Sequence, residues 1–233
     1  MYKRKKVFCI IGARGGSKGL PNKNKLLVDG KPVISYSIES SKKIKYIDEV
    51  FVSTEDAKLK EISKKYGAKI INRPKTLATD NANILDSFKH VIKNITDIKK
   101  ENVIIVLFWT APIIRKIKDI EKCIEMYDDK IDCIVSVSES KIRPSWLFIE
   151  KNKYLEFWQK TIPEPNRQQQ KERYFYINGS VVVTTSRFLM KQKKNFVGGK
   201  MKGYVMNDKH SMDIDTPFDF KITKLVVEQK KNF

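Results

Sequence analysis

The sequence predicts an α/β protein, one Rossmann-like domain with a mainly parallel, twisted sheet. Three observations predict it. Short runs rich in β-branched residues alternate with longer segments of helical period, the rhythm of βα units. The strand-like runs are apolar at nearly every position, as strands buried on both faces are. The first of these runs leads directly into a glycine-rich, basic loop, and ligands of open α/β sheets bind at that end of a strand. The 233 residues, 41% of them hydrophobic, suffice for one such domain over 1–233.

Residues 7–11 (VFCII) form the first predicted strand by length and β-branching. The loop follows, and Pro32 then opens a helix carrying Val33, Ile34, Ile38 and Ile44. The run 49–54 (EVFVST) is a second strand; Asp56 is placed to cap a helix over 57–66, which Gly67 ends. Residues 69–72 are a third strand. Asp80 or Asn81 is expected to cap a helix with Ile84, Leu85, Phe88, Val91, Ile92 and Ile95 on one face. Strands are expected over 103–108, 133–137 and 176–184, with a helix over 117–127. Thr216 and Pro217 open a last helix expected to turn Phe218, Ile222, Leu225 and Val226 to the core. Residues 140–175 are polar, rich in Pro, Gln and aromatics, and lack a clean period, so they read as an excursion from the sheet.

Composition narrows the function classes. The longest apolar run, 103–114, is broken by Thr110 and Pro112 and falls short of the ~18 residues of a membrane span. Residues 7–11 are too short for a signal-peptide core, which points to a cytoplasmic protein. Cys9, Cys123 and Cys133 form no CxxC pair and read as small buried apolar residues. The net charge of +20 raises a nucleic-acid-binding alternative, but only eight of the 47 basic residues are Arg, and the lysines are scattered rather than blocked.

The chemistry concentrates in two stretches. Between Gly12 and Lys25 stand three further glycines with Arg14, Lys18 and Lys23. Glycine lets backbone N–H groups approach an anion, and the cations neutralise phosphate charge. The stretch fits neither G-x-x-x-x-G-K-[ST] nor G-x-G-x-x-G, so an ATPase P-loop and a dinucleotide fingerprint are both disfavoured, and a solvated loop stays open. Downstream, Asp213 and Asp215 stand two apart, which puts them on one side of an extended segment. Two such carboxylates suit Mg²⁺ beside substrate phosphates, or else a cap.

The motifs ARGGSKGLPNKN (13–24), STED (53–56), NRPKTLATDNA (72–82), RQQ (167–169), NGS (178–180) and DIDTPFDF (213–220) occur in this order over nearly the whole chain. Together they resemble the acylneuraminate cytidylyltransferases, the enzymes that activate sialic acid and related nonulosonic acids. The first motif is specific, because the related Kdo-activating enzymes carry a different loop there. The resemblance implies transfer of CMP from CTP to the anomeric hydroxyl of a nonulosonic acid of sialic, legionaminic or pseudaminic type, with release of pyrophosphate. The alternative is a nucleotidyltransferase for another acceptor, Kdo or a phosphonate.

Residue by residue, the resemblance gives Arg14 and Lys18 to the triphosphate and to catalysis. Gly16, Lys23 and Asn24 complete the nucleotide loop, and Arg73 lies near the cytidine. Asp213 and Asp215 are the Mg²⁺ ligands. Arg167, Gln168 and Asn178 are placed by the sugar acid. Phe108 stands where the sialic acid enzymes carry a sugar-contacting glutamine, Val182 where a tyrosine is expected, and Trp146 where some carry a lysine. All three changes fall on the sugar side, and Phe108 and Trp146 favour a deoxygenated, more apolar acceptor. The family implies a homodimer in which the 140–175 excursion reaches the neighbouring subunit, with Trp146, Phe148, Tyr154, Phe157 and Trp158 as its aromatic core. The competing reading of those aromatics is a small satellite core within one subunit.

Overall fold

The computed structural model describes residues 1–95, 102–159 and 172–229. In chain order the strands are β1 (Val7–Gly12), β2 (Leu27–Val28), β3 (Lys31–Pro32), β4 (Glu49–Thr54), β5 (Lys69–Asn72), β6 (Ile104–Trp109), β7 (Cys133–Glu139), β8 (Phe148–Lys151), β9 (Tyr154–Phe157), β10 (Phe175–Thr185) and β11 (Met201–Val205). The helices are α1 (Val33–Lys42), α2 (Ala57–Lys65), α3 (Ile84–Asn94), α4 (Ile117–Glu125), α5 (Ser186–Lys191) and α6 (Pro217–Gln229).

Seven strands form the central sheet in the order β11-β7-β10-β6-β1-β4-β5. β1 lies between β4 and β6 and is parallel to both, β5 is parallel to β4, and β11 is parallel to β7. Only β10 runs against its neighbours β6 and β7. The sheet is therefore the mainly parallel one expected.

Apolarity at every position of β1 has a direct cause. Val7, Cys9 and Ile11 enter one core cluster with Ile34 and Ile38 of α1, Leu59 of α2, and Ile120, Cys123 and Ile124 of α4. Phe8 and Ile10 enter another with Leu85, Phe88, Val91 and Ile92 of α3 and Leu189 of α5. Successive side chains leave a strand on opposite faces, so a sheet covered on both sides needs apolar residues at both parities.

Two expectations are corrected. Asn83, not Asp80 or Asn81, caps α3, its Oδ1 accepting from Leu85 N at 3.0 Å; the Asp80 carboxylate faces the loop cations instead. In α6 the buried side is rotated. Phe220, Val226 and Val227 pack on the core and Thr223 is fully buried, while Phe218 and Leu225 are exposed. Apolar residues occupy more than one face of this helix, so periodicity alone could not choose between them.

The hairpin β2–β3, the hairpin β8–β9, strand β11 and helix α5 had no clear sequence signal. β11 is an edge strand, mostly exposed, whose MKGYV lacks apolar alternation; lysine and glycine on an edge discourage further pairing. Within the excursion, β8 and β9 form their own two-stranded sheet. The Phe148 and Phe157 rings stack at 4.6 Å, yet Trp146, Phe148, Tyr154, Phe157 and Trp158 all remain exposed. Among the described residues these aromatics form no buried satellite core.

Candidate active site

The loop after β1 is shaped by contacts that require small residues. Ala13 N continues the pairing to Ser53 O at 3.0 Å, and Gly15 N donates to Glu55 Oε1 at 2.6 Å. A Cβ on Gly15 would lie 2.7 Å from Asp56 Oδ2, and one on Gly19 would lie 2.4 Å from the carbonyl oxygen of Asp215. Gly19 thus lets the loop touch the backbone of the carboxylate segment. Gly16 has nothing within 4 Å of such a Cβ and faces open space. The loop closes in a short helical turn, Lys23–Lys25, in which Asn24 is buried. Asn24 Nδ2 donates to Arg14 O at 3.0 Å and its Oδ1 accepts from Thr110 Oγ1. Its amide is occupied in fixing the backbone that presents Arg14.

The loop cations are each held by a carboxylate from another part of the chain. Arg14 Nη1 lies 2.7 Å from Asp80 Oδ1, Lys18 Nζ 3.4 Å from Asp80 Oδ2, and Lys23 Nζ 2.8 Å from Asp215 Oδ1. Behind them Arg73 is buried, donating from Nε to Ser53 Oγ at 3.1 Å and from Nη2 to Ser53 O at 2.8 Å. Burial lowers the Arg73 pKa and the Arg14 charge lowers it further, against Glu55. Two guanidinium groups close enough to repel are a place where a bound anion is favoured.

Ile214 is fully buried in a third core cluster with Leu20, Val28 and Val33, and it anchors the carboxylate segment beneath the loop. Asp213 and Asp215, one residue to either side, stay accessible to solvent. Thr216 and Asp219 cap α6 reciprocally: Thr216 N donates to Asp219 Oδ2 at 2.8 Å, and Asp219 N to Thr216 Oγ1 at 3.2 Å. Asp219 Oδ2 also accepts from Asp215 N at 3.1 Å, which fixes the backbone between the two carboxylates. Partial desolvation raises the Asp213 pKa, and the Asp215 charge raises it further, against Lys23, the Ile214 N–H and Arg115. The nearest positive charge to the pair is Lys23, 2.8 Å from Asp215 Oδ1. Among the described residues no group of three or more His, Cys, Asp or Glu side chains gathers. Two hard oxygen ligands, one of them held by a lysine that a metal ion can replace, fit a cation that takes its remaining ligands from water and phosphate, as Mg²⁺ does.

The sugar-side expectations divide. Phe108 does not line an opening: it is 1% exposed, packed in the first core cluster, with the Arg115 guanidinium 4.4 Å over its ring. Val182 is likewise in the core, on the opposite face of the sheet. Both residues sit on central strands, where a side chain has only the two helical layers to face. Asn178 belongs to an irregularity in β10 between Ile177 and Val182. Its Oδ1 accepts from Ser136 Oγ at 2.7 Å and Ser180 N at 3.2 Å, and its Nδ2 donates to Ser138 Oγ at 3.2 Å. Gly179, at φ +66°, turns this bulge toward the carboxylates; a Cβ there would lie 3.9 Å from Asp213 Oδ2. Trp146 is exposed with the Arg143 guanidinium 5.1 Å from its ring. Arg167 and Gln168 lie outside the described residues.

Sequence reasoning missed Arg115. It is buried, donating from Nη1 to Ser37 Oγ at 3.1 Å and from Nη2 to Trp109 O, and burial pulls its pKa down to about 10 against the opposing pull of Cys9 and Asp213. Nothing in a lone arginine after PII reveals a buried charge. Asp80 and Gly19 were also missed; both matter only through residues distant in sequence.

The fold and this cleft define a class: an α/β protein whose first βα loop opposes cations to a carboxylate pair at the carboxyl ends of its strands. Comparison makes the class particular. A family model described as cytidylyltransferase matches residues 8–230, and the chain belongs to that family. It is 32% identical, over 98% of its length, to an N-acylneuraminate cytidylyltransferase of Escherichia coli O18:K1:H7, of which it covers 54%; it spans about half the length of such relatives. It is 28% identical to a CMP-N,N'-diacetyllegionaminic acid synthase of Legionella pneumophila, covering 96% of this chain and 97% of that one. A solved CMP:2-keto-3-deoxy-manno-octonic acid synthetase complexed with CTP superposes with a TM-score of 0.72 at 19% identity, over 97% of this chain and 99% of that one, a likeness of fold.

Proposed function

We propose that the protein transfers CMP from CTP to the anomeric hydroxyl of a nonulosonic acid, releasing pyrophosphate. The observation that carries the reading is the 2.8 Å contact of Lys23 with Asp215, which brings the loop cations and the carboxylate pair to one cleft. The sugar oxygen attacks the α-phosphorus, the new C–O–P link forms, the α–β phosphoanhydride breaks with its electron pair leaving on pyrophosphate, and the hydroxyl proton passes to solvent. The chain's residues hold and neutralise rather than attack. Arg14, Lys18 and Lys23 bind the phosphates, and Asn24 and Glu55 fix the backbone that carries Arg14 and Gly15. Arg73 follows β5, its side chain hydrogen-bonded to Ser53 of β4, and in this reading serves the cytidine. Asp213 and Asp215 would hold Mg²⁺, which when bound compensates phosphate charge. Preorganised charge of this kind is the main contribution an enzyme makes to phosphoryl and nucleotidyl transfer.

The acceptor is of the legionaminic or pseudaminic type in this reading. Support comes from Trp146 and from the legionaminic acid synthase of matching length. Phe108 no longer contributes, being buried. The exposed aromatics of β8–β9 form the dimer contact, continued by Phe175, Tyr176 and Ile177 of β10, all exposed. An apolar surface of that extent marks an interface. The test is pyrophosphate release from purified protein with Mg²⁺, the four nucleoside triphosphates and a panel of nonulosonic acids and Kdo. CTP with a nonulosonic acid is the expected pair; equal release from ATP overturns the reading. Sedimentation of Phe157→Asp, expected to shift from dimer to monomer, tests the interface.

A further inference from the structure

Arg14 and Lys18 leave the end of β1, while Asp80 follows the end of β5, and β4 lies between those strands. Neighbouring strands are ~4.8 Å apart, so a contact from the β1 loop to the β5 loop bridges about 10 Å across the end of β4. The Arg14–Asp80 pair does this at 2.7 Å, with Lys18 joining at 3.4 Å. It is a strap between the β1 and β5 loops.

The Asp80 carboxylate has no other partner among the described residues. It caps nothing, since α3 is capped by Asn83. The surrounding segment is anchored independently, with Ser87 Oγ donating to Leu77 O at 3.2 Å and Asn83 Nδ2 to Lys194 O at 2.9 Å. The other loop carboxylates have second tasks. Asp56 binds Lys25 and caps α2, and Asp215 binds Lys23 and belongs to the carboxylate pair. Asp80 only holds the two cations that the nucleotide reading assigns to phosphate.

We propose that Asp80 is an internal stand-in for a nucleotide phosphate: it holds Arg14 and Lys18 in the free protein and is displaced by the phosphates of the incoming nucleotide. The proposal rests on the nucleotide reading of the loop. Carboxylate and phosphate are both oxyanions to which the Arg14 Nη1 that now donates to Asp80 Oδ1 can donate, so one can replace the other at that atom. Arg14 is 33% and Asp80 45% exposed, and exposed pairs are weak. A triphosphate outcompetes such a strap by its greater charge, while the returning carboxylate helps expel pyrophosphate. The strap thus lowers affinity and keeps the loop closed between turnovers.

The test is isothermal titration of CTP and of pyrophosphate, without metal and in EDTA, into wild type, Asp80→Asn and Arg14→Ala. Asp80 is exposed, so the isosteric amide leaves the fold intact, which circular dichroism verifies. Asp80→Asn is expected to bind both probes roughly 3- to 10-fold more tightly, the fold-change corresponding to one or two exposed ion pairs. Arg14→Ala is expected to weaken both. If Asp80→Asn binds equally or more weakly while Arg14→Ala still loses affinity, the stand-in role is overturned and the nucleotide reading stands. If no protein of the three binds either probe, in EDTA or with Mg²⁺ restored, the nucleotide reading falls and the strap proposal with it.

Discussion

Lys23 Nζ lies 2.8 Å from Asp215 Oδ1, joining the loop that follows β1 to the segment that precedes α6 across 192 residues of sequence. The lysine is 15% exposed and the aspartate 69%. Lys23 is therefore the fixed partner, and the more exposed Asp215 is the one that can exchange it for another cation.

This pairing makes a two-sided prediction. Lys23→Ala removes a competitor for the carboxylates and a cation for the phosphates. Without nucleotide, Mn²⁺ binding followed by electron paramagnetic resonance should tighten by roughly 3- to 5-fold, since an exposed pair is worth under ~1 kcal/mol. Pyrophosphate release should fall by ~10-fold or more, because charge-assisted bonds to phosphate are the stronger kind. Asp213→Asn and Asp215→Asn should each lose Mn²⁺ binding and most turnover while the far-ultraviolet dichroism is kept. Unchanged Mn²⁺ affinity in both carboxamide variants would remove the metal role.

The two loop glycines separate backbone contact from open space. A Cβ on Gly19 meets the Asp215 carbonyl oxygen at 2.4 Å, and that oxygen belongs to backbone held by the α6 cap. Gly19→Ala should cost ~1–3 kcal/mol, as forced overpacking does, and displace the carboxylate pair, abolishing most activity. Gly16→Ala meets nothing within 4 Å, and its melting temperature should stay within about a degree of wild type. Equal melting temperatures for the two variants would contradict this packing.

Asp56 supplies a pH signature. Its Oδ1 accepts from Leu59 N at 2.9 Å and its Oδ2 from Lys25 at 2.9 Å. Burial works to raise its pKa, but the Lys25 hydrogen bond and the Leu59 N–H outweigh it and hold the carboxyl below its usual 3.8. A depressed carboxyl contributes stability that is present above the unfolded value and lost as pH falls through the folded one. Asp56→Ala should lower the melting temperature by ~3–5 °C at pH 7, from a cap of ~1 kcal/mol and a weak ion pair. The gap to wild type should narrow once pH drops below 3.8. Asp56→Asn, which still caps, should lose less than Asp56→Ala at pH 7.

The thiols should be silent. Burial raises the pKa of Cys9 and of Cys133 to about 12 and that of Cys123 higher still, so almost no thiolate exists at pH 8. A disulfide reagent should titrate none of the three in native protein and all three after denaturation.

The sequence by itself determined the layers, most of the strands of the main sheet and the chemical character of the loop. These are local properties: β-branched runs, a 3.6-residue period, Asp56 before a helix, and glycines with cations after a strand. It also determined that Asp213 and Asp215 stand on one side of their segment, because alternation around the buried Ile214 is a matter of spacing. Tertiary structure alone decided what those residues touch. The 2.4 Å demand on Gly19, the Asp80 strap and the Lys23 contact each join segments tens to nearly two hundred residues apart, and no local pattern encodes such distances. The same applies to Phe108, which the motif order assigned to the acceptor pocket. A side chain on a central strand takes its surroundings from the helices packed over that face, and α1 and α4 enclose this one with the Arg115 guanidinium lying on its ring.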